Sequence, residues 1–287
     1  MRGCSDTVSG VPMRPGRGFA VSQQTVLTAF MVLALFPIVL MWLTALKTSA
    51  ELATNPFGLP EQWRFDNFAE TWRQGNFAVY LRSSVIVVVP VVAGALALSV
   101  LAGYAFGRFR FRGRGVLFAV FLLGIMVPTE GLIIPLYYFM DDLSLLNTYW
   151  ALILPQIALS TSFGAFWMRA FFADVPGELV DAAAVDGAGP LTTLWRVLLP
   201  LARPALGTLS VLLFMWTWNE FLLALVLVQD ESVRTLPVAL SFFQNQYTAQ
   251  VPLLAAASTI VSFPILVIYA LLHRRFIEGM VAGSVKG

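Results

Sequence analysis

Of 287 residues, 58% are hydrophobic and only 12% are charged, about half the roughly 25% of an ordinary soluble domain. The formal net charge of +2 gives no reason to expect nucleic acid as a partner, and the composition places the chain in a lipid bilayer. A single cysteine, Cys4, and a single histidine, His273 beside Arg274 and Arg275, exclude an intrachain disulfide, a multi-Cys/His metal site and a credible hydrolase triad.

A helix needs about 20 apolar residues to cross roughly 30 Å of hydrocarbon. Cutting the chain at its charges leaves six such runs, near 25–46, 84–106, 116–136, 150–171, 205–227 and 251–272. Backbone groups in lipid must bond within their own segment, so the runs are expected as helices. The fold class is all-α: a polytopic membrane protein with six transmembrane helices. Residues 1–24 read as a basic arm, 25–272 as the membrane domain and 273–287 as a tail. Cys4 precedes the first apolar run, which is too long for a signal peptide and reads as a retained span.

Prolines fall inside several spans (Pro37, Pro90, Pro128, Pro135, Pro264), and each removes a backbone donor and bends its helix. The pair flanking Glu130 marks the place for a functional kink. Lysine and arginine placement sets orientation. Arg2, Arg14, Arg17, the GRFRFRGRG run 107–115, Arg169, Arg196, Arg203, Arg274, Arg275 and Lys286 share one side. Lys47, Arg64, Arg73, Arg82 and Arg234 take the other. Both termini and residues 174–204 are therefore expected in the cytoplasm, with the chain in a cytoplasmic membrane. The external segment 47–82 carries Trp63, Phe65, Phe68, Trp72 and Phe77, an aromatic belt or a contact surface, and has room for a short interfacial helix.

Only Glu130 and Glu220 are acids inside the spans, and no cation lies there to pair with them. Intramembrane acids face a bundle interior or a water-filled cavity. Trp218, Asn219 and Glu220 sit together in WTWNEF, with Trp216 alongside. The reading is either interhelical hydrogen bonding or a polar pathway, with indole faces open to the apolar faces of sugar rings. No G-x-x-x-x-G-K-[ST] phosphate loop is present, and the lysines are Lys47 and Lys286 alone. The chain is thus not expected to be an enzyme, to hold a cofactor or to hydrolyse ATP.

Residues 174–204, DVPGELVDAAAVDGAGPLTTLWRVLLPLARP, interrupt the apolar pattern. Asp174 and Pro176 suit a helix start, and Glu178 and Asp181 favour its positive end. Ala182, Ala183 and Ala184 offer a low profile, and Gly187, after Asp186, suits a left-handed stop. Pro190 can open a second helix with Leu191, Leu194, Trp195 and Leu198 on one face. The expectation is a helical pair broken at Asp186-Gly187, displayed for a soluble partner.

This stretch closely resembles the signature loop of binding-protein-dependent ABC importer permeases, E-A-A, three residues, G, nine residues, I-x-L-P. Asp181-Ala182-Ala183 stands for E-A-A, Gly187 for the glycine and Val197-Leu198-Leu199-Pro200 for the end. Asp181 replaces Glu and Val197 replaces Ile. The run 162–172, SFGAFWMRAFF, then WNEFLLAL at 218–225 and the tail GSVKG at 283–287 are similar to the maltose-transporter G-type subunits of the carbohydrate branch.

The resemblance implies a type I importer permease, paired with a second permease, two copies of an ABC ATPase that uses ATP, and an external solute-binding protein delivering sugar. It implies ATPase coupling through Glu178, Asp181, Ala182, Ala183, Asp186, Gly187 and Pro200. A second contact would come from Gly283, Ser284, Val285, Lys286 and Gly287. A self-contained carrier or channel for a small polar solute is the alternative.

Overall fold

A computed structural model describes residues 17–244 and 250–284. The first span is α1 (Arg17–Ala45), followed by a folded segment before the next span. There α2 (Ser49–Thr54) is capped by the Thr48 hydroxyl, which accepts from the Glu51 N–H at 3.1 Å, and α3 is Asp66–Gln74. Lys47, counted above among the external charges, is fully buried: its Nζ donates to the Asn55 carbonyl at 2.6 Å. Asn67 Nδ2 donates to the carbonyls of Ala45 and Lys47 at 2.8 and 2.9 Å. These side chains supply the bonds that an irregular segment cannot form within itself.

The next helices are α4 (Phe77–Arg108), α5 (Arg114–Met126), α6 (Thr129–Asp142) and α7 (Tyr149–Asp174). Then come α8 (Gly177–Val185), α9 (Pro190–Thr193), a π-helical turn (Leu194–Leu198) and α10 (Leu199–Leu201). The chain finishes with α11 (Arg203–Trp218), α12 (Leu222–Leu227), a 3₁₀ segment (Leu236–Phe243) and α13 (Val251–Ser284). Among the described residues four helices are long and apolar enough to cross a membrane. The number rises to six if each of two bent pairs is one span.

Two of the expected spans are corrected by the structure. Residues 116–136 are not one helix: α5 and α6 meet at 101°. Val127 is extended, at φ −80°, because the following Pro128 disfavours helical backbone in the residue before it. Pro135, the other flanking proline, lies inside α6 without breaking it. Residues 205–227 are interrupted as well. Helix α11 stops at Trp218, residues 219–221 are non-helical, and α12 resumes at Leu222. A second bend of 79° falls between residues 190–201 and α11, where Pro204 opens the new helix without an N–H to extend the old one.

The centre of the bundle is the pairing of α4 with α7, which run parallel. Small residues at four-residue intervals on α4, Ala95, Ser99, Gly103 and Gly107, let the backbones close. A Cβ at Gly103 would lie 2.5 Å from Met168 Cβ, and one at Gly107 would lie 2.9 Å from Phe172 Cβ. Gly164 of α7 repays the approach: its Cβ would fall 1.9 Å from Ser99 Oγ. Between apolar helices in lipid, such close backbone packing is a principal attraction. Around this seam, Met168, Phe172, Leu194, Leu198, Leu209 and Leu213 form a core joining α4, α7, the π turn and α11.

Candidate coupling surface and polar break

Helix α8 carries Glu178 in its first turn and ends at Asp186. Pro176 occupies its N-cap and Asp174 is the last residue of α7. Gly187 adopts φ +77°, where an L side chain is strained. Its N–H donates to Ala184 O at 3.0 Å, and Ala188 N–H donates to Ala183 O at 2.9 Å. This reciprocal pair is the Schellman arrangement that glycine after a helix permits.

The second helix opens at Pro190 as expected, but its apolar stripe divides. Pro200 has no N–H for the ladder, and Leu199 donates back five residues to Leu194. In this widened turn Leu194 and Leu198 are fully buried, whereas Leu191 and Trp195 are each 63% exposed. The four residues therefore do not share one buried face. One pair holds the helix to the bundle and the other stands out from it.

Between the two helices lies an open groove of about 510 Å³, lined by Leu179, Ala182, Asp186, Gly187, Thr192 and Arg196 among others. Glu178, Asp181, Ala182 and Pro200 are exposed beside it, while Ala183 is buried and its carbonyl ties off the turn. Val185, 87% exposed, adds to the apolar rim. Covering a leucine-sized side chain is worth about 1.5–3 kcal/mol, so this rim can hold a protein surface, and the acids favour a cationic one.

Both limbs of the groove are tied to the bundle. Tyr104 Oη donates to Pro190 O at 3.1 Å, and its ring lies edge-on to Phe172 at 5.7 Å. Arg108 Nη2 donates to the Val175 carbonyl, and Trp167 Nε1 donates to Ala205 O at 3.1 Å. Tyr104 and Arg108 were not recognised as site residues in the sequence. The only sign was their position one residue after Gly103 and Gly107 of the small-residue stripe on α4.

The second group of expected residues is divided by the structure. Trp218 is 3% exposed, stacked on Phe214 at 5.4 Å, and its Nε1 donates to Val261 O at 3.0 Å. Its indole faces are thus not open to a sugar, because the ring is spent on joining α11 to α13. Asn219 is exposed and its Nδ2 donates to Met215 O at 2.8 Å. Glu220 Oε1 accepts the Leu223 N–H at 2.8 Å, satisfying an otherwise unpaired donor at the start of α12. Glu130 stands exposed in the first turn of α6 and shares no hydrogen bond with these three among the described residues. Of the tail, Gly283 and Ser284 end the α13 backbone. Val285, Lys286 and Gly287 lie outside the described residues, as does the arm before Arg17.

Apolar helices, two bent pairs and a grooved helix pair held out at one end define an integral membrane protein. Residues 95–280 match the family described as binding-protein-dependent transport system inner membrane component. The chain is 33% identical over 277 residues to the probable ABC transporter permease protein YurM of Bacillus subtilis, covering 96% of this chain and 92% of that one. It is also 33% identical over 272 residues to the diacetylchitobiose uptake system permease protein NgcG of Streptomyces coelicolor, at 94% and 88% coverage. A crystal structure of a bacterial ABC transporter that imports the acidic polysaccharide alginate superposes with a TM-score of 0.79. That match has 25% identity and covers 93% of this chain and all of the other. The chain belongs to the binding-protein-dependent ABC importer permeases, and its fold is theirs.

Proposed function

We propose that this chain is one permease subunit of an ATP-driven carbohydrate importer. It pairs with a second permease, two ABC ATPase subunits and an external sugar-binding protein, with both termini and residues 174–204 in the cytoplasm. The observation that carries the reading is the groove between α8 and the π turn, tied by Tyr104 and Arg108 to α4 and thence to α7. An ATPase seated there moves α4, α7 and α11 together when it closes on ATP. Glu178, Asp181, Ala182, Ala183, Asp186, Gly187 and Pro200 form or support the seat, and residues 283–287 make the second contact. The chain itself needs no cofactor.

A sugar substrate is supported by the diacetylchitobiose and alginate systems named above. Asn219 and Glu220 at the break, with Glu130, supply polar groups along the pathway, and buried Trp218 holds the break in place. The test is the complex in proteoliposomes with its binding protein. Gly187→Trp and Asp181→Lys are expected to lose the ATPase on co-purification and to stop uptake. Normal assembly and uptake in both variants would sink the docking assignment, and ATP hydrolysis indifferent to every carbohydrate offered would sink the sugar assignment.

A further inference from the structure

We propose that the loop between α4 and α5 is a binding site for anionic phospholipid headgroups. Its sequence, Gly107 to Gly115, alternates arginine with phenylalanine and contains no acid. Nothing in the coupling mechanism uses Arg110, Arg112 or Arg114.

Backbone 109–111 is non-helical, with Phe109 extended at φ −87° and ψ 143°, and in extended chain successive side chains face opposite ways. Phe109 lies edge-on to Tyr104 at 5.1 Å, and Phe111 lies 6.0 Å from Phe106. Both rings are therefore turned back onto the last turns of α4, and Arg110 between them is turned outward. Phe106 also meets Phe118 and Phe121 of α5, and the Arg169 guanidinium sits 4.1 Å over the Phe118 ring. An aromatic cluster thus holds the loop from behind. Arg110 and Arg112 are exposed in front. The guanidinium groups of Arg110, Arg112 and Arg114 make no hydrogen bond or ion pair with another described residue; the Arg114 backbone N–H donates to Phe111 O at 3.3 Å. Arg108 is the exception, bound to the Val175 carbonyl.

The electrostatics of this arrangement lack a partner. Helix α5 starts at Arg114 with no side-chain cap and no acid in its first turn. Arginines at the positive end of a helix are unfavourable unless an anion lies between them. A Cβ at Gly113 or Gly115 would meet nothing within 4 Å, so there is room at the loop apex. Location then selects the anion. The loop joins two apolar helices where they leave the bilayer, at the depth of lipid phosphates, and clusters of Lys or Arg beside a span attract anionic lipid. Guanidinium groups can hold a phosphate in bidentate fashion.

The experiment uses the full chain with the partners that co-purify, in nanodiscs of phosphatidylcholine alone or of equimolar phosphatidylcholine and phosphatidylglycerol. Native mass spectrometry then counts retained lipids. Phosphatidylglycerol is expected to be retained preferentially, falling about fivefold for each arginine removed in R110Q and R110Q/R112Q. Because arginine removal can also disturb insertion, F109S/F111S provides a second route: it keeps every charge, lets the loop fold back and is expected to lower retention too. Equal retention of the two lipids in the wild type overturns the proposal, as does unchanged retention in both kinds of variant. A photocrosslinker at position 112 that captures the ATPase in place of lipid assigns the loop to a protein and overturns it as well.

Discussion

Tyr104 and Pro190, 86 residues apart, are joined by a hydrogen bond of 3.1 Å from the tyrosine hydroxyl to the proline carbonyl. It links the inner turns of α4, next to the seam with α7, to the first residue of α9. The Pro190 carbonyl already accepts the Leu194 N–H inside the helix, and its second lone pair accepts the Tyr104 hydroxyl, which fixes that end from outside. Tyr104→Phe removes one bond worth about 1 kcal/mol and leaves the ring contacts to Phe109 and Phe172 in place. The expected result is an assembled complex that moves fewer substrate molecules per ATP, measured as the ratio of uptake to phosphate release. An unchanged ratio would detach Tyr104 from coupling.

Gly187 and Gly189 separate backbone conformation from space. Neither would bring a Cβ within 4 Å of another atom, but Gly187 has φ +77° and Gly189 has φ −70°. Gly187→Ala is expected to cost about 1–2 kcal/mol and Gly189→Ala a few tenths at most, read as the difference in thermal unfolding of the purified protein.

At the α4–α7 seam, Gly164→Ala drives a methyl into Ser99, with the new Cβ 1.9 Å from Oγ and 2.7 Å from Cβ. Overpacking of this kind costs about 1–3 kcal/mol. Ser99→Gly should restore most of the loss in the double variant, which a double-mutant cycle on unfolding midpoints measures. The buried Ser99 hydroxyl has no hydrogen-bond partner among the described residues, so Ser99→Ala alone is expected to be neutral or stabilising.

Glu220 distinguishes a cap from a charge. Glu220→Gln keeps an oxygen for the Leu223 N–H and is expected to retain assembly and thermal stability, whereas Glu220→Leu loses about 1 kcal/mol as a cap. If Glu220→Gln abolishes uptake while stability is unchanged, the charge itself serves the pathway.

Asp230 gives the pH dependence. Its carboxylate is held below the ordinary aspartate range, first by the Ser232 N–H and then by the Ser232 hydroxyl, at 2.9 and 2.8 Å. A depressed folded value means the contribution is complete above the ordinary aspartate range and is lost as pH falls through the lower folded one. The turn at 230–232 should therefore be intact at neutral pH and loosen only in acid. Hydrogen exchange at the Ser232 amide, corrected for its intrinsic rate, checks this, and Asp230→Asn should remove the acid step.

Composition alone determined that the chain lives in lipid, because so apolar a sequence cannot be covered by its own polar surface. The local chemistry of Gly187 and Pro190 determined where α8 stops and α9 starts, since a missing Cβ and a missing N–H act on the residue that carries them. What Pro128 would do was only half legible. A proline in a span predicts a bend, but whether it yields a kink or a 101° break depends on what packs on either side. The same holds for Trp218 and Glu220. Their types announced polar chemistry in an apolar run, but only the fold could show that the indole spends its N–H on Val261 of α13 and the carboxylate its oxygen on Leu223. The division of Leu191 and Trp195 from Leu194 and Leu198 was likewise a tertiary decision. A helical wheel assumes a uniform pitch, and the π turn before Pro200 does not keep one.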